Sequence, residues 1–326
     1  MNGKSLDGGL VPTIDRYVAH QRALGKRFDR AAYELSRLVR YVQDAGATDI
    51  DAALFDGWSR SCCGSSMNAR RSAQLTVHKF CRYRRRLDPQ CFMPDPTRFA
   101  RRIPARVPVI FGAPEVARML KFAAMVPGHV HHPLSGAALR LMIILLYTTG
   151  MRRGEVARLT LSDLDLKAGI LRIRDSKFHK SRMIPVSSST LTAIRGYLKA
   201  RLTAPWDISA DAPLFGHQHG CDRFRGYSGG GMHHLVASAL DAARVVDGAG
   251  RRAHIHDFRH SFAVNALLRW YGQGVDVSAK LPQLSMYLGH VSIASTAYYL
   301  HFIPEIARAA SRRFHRQFGV LIGGVS

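Results

Sequence analysis

Acidic side chains are scarce in this chain: 23 Asp and Glu stand against 47 Lys and Arg, for a formal net charge of +24 in 326 residues. Solubility asks for far less, so the deficit points to a polyanionic partner. Long apolar runs are missing as well. The longest, Leu139 to Tyr147, is broken by Arg140 and falls far short of the roughly 20 residues that span a bilayer. No basic amphipathic anchor is evident, so no membrane contact is expected, and double-stranded DNA is the better polyanion. Lys and Arg that neutralise phosphates release counterions and supply affinity independent of base sequence. The N-terminal MNGKSLDGGLVPT has no apolar core of the secretory kind, and the chain is therefore expected in the cytoplasm, at the nucleoid. Cysteine is sparse too. Cys62, Cys63, Cys81, Cys91 and Cys221 are odd in number and form no CxxC pair, which predicts reduced thiols, mostly in the core.

What is present is an ordinary globular chain, 47% hydrophobic and long enough for two domains. From about Val11 to Leu87 apolar residues recur at helical spacing, as in Ile14, Tyr17 and Val18 and again in Leu35, Leu38, Val39 and Val42. Gly46 closes the second helix, Thr48 and Asp49 open a third, and a fourth starts near Ser65 or Ser66 and ends in a run of arginines. Between Arg60 and Arg106 twelve Lys or Arg meet only two acids, Asp88 and Asp95. That imbalance marks a phosphate-facing surface with Arg70, Arg71, Lys79, Arg82, Arg84, Arg85 and Arg86 as the DNA-binding candidates. A merely solvated helix face is the alternative, and the near absence of compensating acids argues against it. Prolines at 89, 94, 96, 104 and 108 predict an extended linker over 88–112, between a helical domain at 1–87 and a second domain at 113–326.

The second domain opens at Ala113-Pro114-Glu115, a good helix N-terminus, and carries an apolar helix from Leu139 that stops at Gly150. Residues 170–186 alternate as two short strands with a turn from Asp175 to Arg182. Helices follow near 187–202, 232–246, 256–271, 280–289 and 292–300, with Gly229-Gly230-Gly231 as a flexible approach to the second of them. A basic tail helix comes after Pro304. The fold class is mainly α: an N-terminal helical bundle plus a mostly helical α+β domain with a small β-hairpin.

Four segments of the second domain carry groups suited to attacking a phosphodiester: Thr149-Gly150-Met151-Arg152-Arg153-Gly154-Glu155, Ser176-Lys177-Phe178-His179-Lys180-Ser181-Arg182, His256-Asp257-Phe258-Arg259-His260, and Leu288-Gly289-His290 followed by Tyr298-Tyr299. In that order, with a tyrosine nine residues past the last histidine, they resemble the tyrosine recombinases, also called phage integrases and including Xer-type enzymes. The likeness covers roughly residues 110–305, and the basic helical unit before it matches the family's core-binding domain in position and character.

The chemistry asks for the same residue types. Attack on a phosphate builds charge on two non-bridging oxygens, which planar guanidinium forks suit better than lysine does. Arg152 and Arg259 are the expected clamps. Arg153 competes with Arg152, but an Arg three residues before Glu155 matches the family pattern. A free tyrosine titrates near 10, so Tyr299 needs a base, and His256, three residues before Arg259 and on nearly the same helix face, can take its proton. By resemblance, Lys177, 25 residues beyond Arg152, protonates the leaving 5′-oxygen, with Lys180 as the alternative, and His290 hydrogen-bonds the scissile phosphate. Tyr298 is read as a packing neighbour of the nucleophile, and His254, His260 and Arg153 as surface or interface residues. A metal site built from His254, His256 and His260 is the rival; it lacks the carboxylate of an HExxH motif, and no metal or cofactor is expected.

The resemblance further implies strand exchange between specific sites by a homo-tetramer, through a Holliday junction, with related recombinases or accessory proteins as further partners. A silent DNA-binding regulator and a type IB topoisomerase are the other readings. From Arg259 to His290 is 31 residues, more than in Xer-type enzymes, and Trp270 to Lys280 is expected as the longer connection. The apolar stripe of the tail (Ile306, Ala309, Phe314, Phe318, Val320, Leu321) is expected to dock on a neighbouring subunit or on its own domain.

Overall fold

A computed structural model describes residues 9–62, 66–104, 106–129, 131–174, 181–204, 206–219, 223–290, 292–293, 296–297, 299–300, 307–308, 310–312 and 314–315. The chain divides into two compact units, Met1–Ala105 and Arg106–Ser326. No helix among the described residues is long and apolar enough to cross a membrane.

The first unit holds α1 (Leu10–Ala23), α2 (Asp29–Asp44), α3 (Ala52–Ser61) and α4 (Met67–Arg84). Their apolar stripes meet in one core around Leu35, Leu38, Trp58, Val77 and Phe80. Asp51, and not the expected Thr48 or Asp49, opens α3, its carboxylate accepting from the Leu54 N–H at 2.8 Å. Asp49 is occupied elsewhere, by Arg84. Ser66 caps α4 by accepting from the Ala69 N–H.

The stretch expected as a linker divides at 105/106, and each side lies on its own unit. Cys91 and Phe99 are buried, the Ala100 N–H donates to Gln74 Oε1 at 2.8 Å, and Asn68 exchanges two hydrogen bonds with the Ile103 backbone. Beyond the division, Arg106 Nη2 reaches Asp257 Oδ2 at 2.5 Å and Phe111 packs edge-on against Phe258. The apolar residues between the prolines hold the stretch down where proline spacing alone reads as free chain.

The second unit comprises α5 (Ala113–Met125), α6 (Ser135–Thr149), α7 (Arg153–Ala157), β1 (Leu164–Asp165), β2 (Ile170–Ile173), β3 (Arg182–Pro185), α8 (Ser188–Leu202), β4 (Gly216–His219), β5 (Arg223–Gly226), α9 (Gly229–Ala242), α10 (Asp257–Gly272) and α11 (Val277–Leu288). α6 is apolar on most of its faces and accordingly sits in the middle, packed by α5, α8 and α10. Strands β1-β2-β3 form an antiparallel sheet with Leu171 opposite Ile184 and Ile173 opposite Arg182. The hairpin of β2 and β3 matches the expected alternation; its turn residues 175–180 lie outside the described residues. The two-residue β1 and the β4–β5 hairpin were not anticipated, because GHQH and RFRG lack an alternating apolar face.

The glycine run at 229–231 is not a flexible approach but the first turn of α9, fixed by Ser228 Oγ accepting from the Gly231 N–H at 3.0 Å. The expected long connection over 270–280 is also absent. α10 continues to Gly272 and Asp276 caps α11 at once, so only 273–276 link the two helices. Residues 296–297 and 299–300 are helical, as are the described positions between 307 and 315. Of the expected tail stripe, Phe314 is exposed and the other members lie outside the described residues. Cys62, Cys81 and Cys91 are buried free thiols; Cys63 and Cys221 lie outside the described residues.

Candidate active site

α11 ends in Gly289, whose φ of +67° turns the chain and leaves the last carbonyls of the helix without helical partners, at the negative end of its dipole. Three arginines from three elements take three consecutive carbonyls there. Arg182 Nε, on β3, donates to the Tyr287 oxygen at 2.8 Å; Arg259 Nη2, on α10, to Leu288 at 2.5 Å; and Arg152 Nη2, at the N-cap of α7, to Gly289 at 2.8 Å. Arg259 Nη1 also donates to the Gly150 carbonyl at 2.9 Å, where α6 ends in another left-handed glycine.

Glu155 ties two of the three together from below. It accepts from Arg152 Nη1 at 2.8 Å and the Arg152 N–H at 2.9 Å, and bidentately from Arg182 at 3.0 and 2.8 Å. Burial works to raise its pKa, but the two guanidiniums, Arg182 above all, hold it down at about 2. Arg259 is 2% exposed; burial and then the charge of Arg152 lower its pKa to about 10, which leaves it protonated at neutral pH. Arg153 is exposed, while Arg152 belongs to the network.

His256 sits at the N-cap of α10 with an exposed face, and lost hydration and then the Arg259 charge lower its pKa. Its ring stands edge-on to His260, 4.8 Å between centroids. His260, one turn further along, is the side chain that meets the expected nucleophile: its Nδ1 lies 2.9 Å from Tyr299 Oη. Tyr299 is 2% exposed. Residue spacing gives that role to His256 and reads His260 as a surface or interface residue. His290 hydrogen-bonds Thr296 Oγ1 through Nδ1 at 2.8 Å, and burial followed by the charges of Arg259 and Arg152 brings its pKa to about 4. Burial and then His256 and Arg259 bring that of His260 to about 3. Both rings are therefore neutral near pH 7 and free to form neutral hydrogen bonds.

The structure thus brings together Arg152, Arg259, His256, His290 and Tyr299, whereas Lys177, Lys180 and Tyr298 lie outside the described residues. Arg182 and His260 were missed. His260 was legible as the i+4 neighbour of His256 on one helix face. Arg182 had no local signal, since its partner Glu155 comes from 27 residues earlier. His254, His256 and His260 do not converge on a metal position, and no such group of His, Cys, Asp or Glu exists among the described residues.

In the first unit, Lys79, Arg82 and Arg86 line an open cavity of about 270 Å3 with Lys26, His20 and Tyr83. Arg84, expected among the phosphate-facing residues, is buried and paired bidentately with Asp49 at 2.7 and 2.6 Å. Arg70 donates to Ser59 Oγ at 3.2 Å and Arg71 to the Ala100 carbonyl at 2.9 Å; both are half-buried. Arg85 is exposed and donates to the Cys91 carbonyl at 3.2 Å.

A model of the phage integrase family matches residues 114–305. A protein of Sinorhizobium fredii named as an integrase/recombinase is 33% identical over 94% of this chain and 96% of its own length. The tyrosine recombinase XerD of Caulobacter vibrioides is 28% identical over 87% and 86%. Among solved structures, the Tn1549 transposon integrase in complex with transposon right end DNA superposes with a TM-score of 0.64 at 17% identity, over 94% of this chain and 99% of that one. XerH recombinase bound to a palindromic difH substrate gives 0.60 at 19%, over 86% and 78%. These two likenesses show the fold, mostly helical with small antiparallel sheets. With the family model spanning more than half of the sequence and a relative similar over nearly its whole length, the chain belongs to the phage integrase family of tyrosine-type site-specific DNA recombinases.

Proposed function

We propose that the protein recombines two specific double-stranded DNA sites at the nucleoid, cutting and rejoining strands without a metal. Tyr299 Oη attacks the scissile phosphorus, the bond to the 5′-oxygen breaks, and the protein stays linked to the 3′-phosphate. The phosphoester bond energy is kept in that link, so the 5′-hydroxyl of another strand can reseal the break. The observation that carries this reading is the cradle at the end of α11, where Arg152 and Arg259 are fixed on adjacent carbonyls beside His290. Guanidiniums preorganised in this way stabilise charge that develops only in the transition state, each worth about two to three decades in rate. His290 hydrogen-bonds the phosphate, His256 borders it, and Lys177 gives the leaving 5′-oxygen its proton.

DNA as partner is supported by the net charge of +24, by the basic cavity of the first unit, and by DNA-bound solved relatives of the same fold. Two sites each bound by two copies make a homo-tetramer that exchanges strands pairwise through a Holliday junction, with the unit at 1–105 as the core-binding domain and the unit at 106–326 as the catalytic one. A nicked suicide substrate tests the reading, because loss of the strand end traps the covalent adduct. The adduct should form in EDTA and vanish in Tyr299→Phe. No adduct from the unaltered protein would instead favour a DNA-binding regulator, and relaxation of plasmids that carry no paired sites a type IB topoisomerase.

A further inference from the structure

A phenol 2% exposed cannot hand its proton to bulk water, so the group beside it decides where that proton goes. Tyr299 Oη lies 2.9 Å from His260 Nδ1, with the two rings 5.5 Å apart and held on different elements. We propose that His260 both orients the Tyr299 phenol and accepts its proton during attack, a part that residue spacing had given to His256. This rests on Tyr299 being the nucleophile. In the step, the Oη–H bond breaks and the proton moves to Nδ1, the Oη–P bond forms, the P–O5′ bond breaks, and the 5′-oxygen takes a proton from Lys177. In the resealing step the incoming 5′-hydroxyl gives its proton back to Lys177 and displaces Oη from the phosphorus, and Oη recovers its proton from His260, so both groups are restored in each cycle.

His256 is worse placed. It sits at the helix N-cap with an exposed face, and its ring meets His260 edge-on. The charged and titratable groups facing His260 are His256 and Arg259 on its own helix, His290 after α11, and Arg106 at the start of the unit. Burial above all, and then their repulsion, keeps His260 neutral at rest, with Nδ1 available to accept the phenolic O–H. A DNA phosphate arriving on Arg152 and Arg259 offsets that positive charge and favours the imidazolium as the proton has to move.

The test is single-turnover adduct formation on the nicked substrate between pH 7 and 9, with half-site binding and thermal melting as controls. His260→Ala should slow the step by about 100-fold or more at pH 7 while half-site affinity stays within about twofold. Its rate should then climb about tenfold per pH unit, because the phenol must ionise unaided, whereas the unaltered protein and His256→Ala give flat profiles. Added imidazole should restore part of the loss. His260→Asn, a milder replacement should the alanine variant unfold, keeps an acceptor near the Nδ1 position but no basic nitrogen, and should be as slow. An asparagine variant at the unaltered rate, or a flat profile in His260→Ala, overturns the proposal. An adduct that persists in Tyr299→Phe would overturn the functional reading beneath it.

Discussion

Replacing Glu155 by Gln removes one negative charge from beneath two guanidiniums and leaves the side-chain volume almost unchanged. The carboxylate is 4% exposed and accepts from both Arg152 and Arg182, so no solvent is at hand to take over its interactions. Its pKa falls from the ordinary 4.5 to about 2; at about 1.4 kcal/mol per tenfold change this amounts to about 3 kcal/mol of stability at neutral pH. Breaking a buried ion pair from one side typically costs about 3 to 5 kcal/mol, which agrees. For a unit of this size the loss corresponds to a drop of about 6 to 12 °C in the melting transition. Because the folded-state pKa is depressed, the stabilisation is complete above about pH 4.5 and is lost as pH falls towards 2. The gap between the two proteins should therefore shrink to about 1 kcal/mol by pH 3. Thermal melting followed by circular dichroism at pH 7 and at steps down to pH 3 measures it. A Glu155→Gln variant that melts within about 2 °C of the unaltered protein at pH 7, or a gap that does not change with pH, would refute the reasoning.

Arg259→Lys keeps the charge but loses the fork that joins the Gly150 and Leu288 carbonyls; the adduct-forming rate on a suicide substrate should fall by about two to three decades while half-site binding changes little. On the first unit, Lys79→Ala, Arg82→Ala and Arg86→Ala should each reduce the slope of log affinity against log salt by about one, measured by fluorescence anisotropy with duplex DNA. Arg84→Ala should leave that slope alone and lower the melting temperature instead, because its guanidinium belongs to Asp49.

The residues that chemistry places far apart in sequence were legible where spacing is rigid. Arg152, Arg259, His290 and Tyr299 follow from short motifs whose order a family shares; the structure places both arginines on the carbonyls that end α11, beside His290, and Tyr299 against His260 of α10. The mainly helical fold and the β2–β3 hairpin were also readable, since apolar periodicity reports directly which face is buried. Other features depend on contacts that periodicity does not encode. Arg84 and Lys79 look alike in a basic run, and only the fold puts Asp49 beside the first. Arg182 is one of 47 Lys and Arg until β3 carries it to a buried Glu155. Phe99 and Phe111 turn a proline-rich stretch into packed chain on either side of its division. His260 was read as a surface or interface residue: its place one turn from His256 was legible, but nothing in the local sequence tells how the 299 segment returns to α10.

The most direct test of the central claim is to map the covalent link itself. The adduct formed on a suicide substrate in EDTA would be trimmed with nuclease, digested, and sequenced by mass spectrometry. The remnant of the 3′-phosphate should sit on Tyr299. Finding it on Tyr298 or any other side chain, or finding no adduct in the absence of metal, would contradict the account.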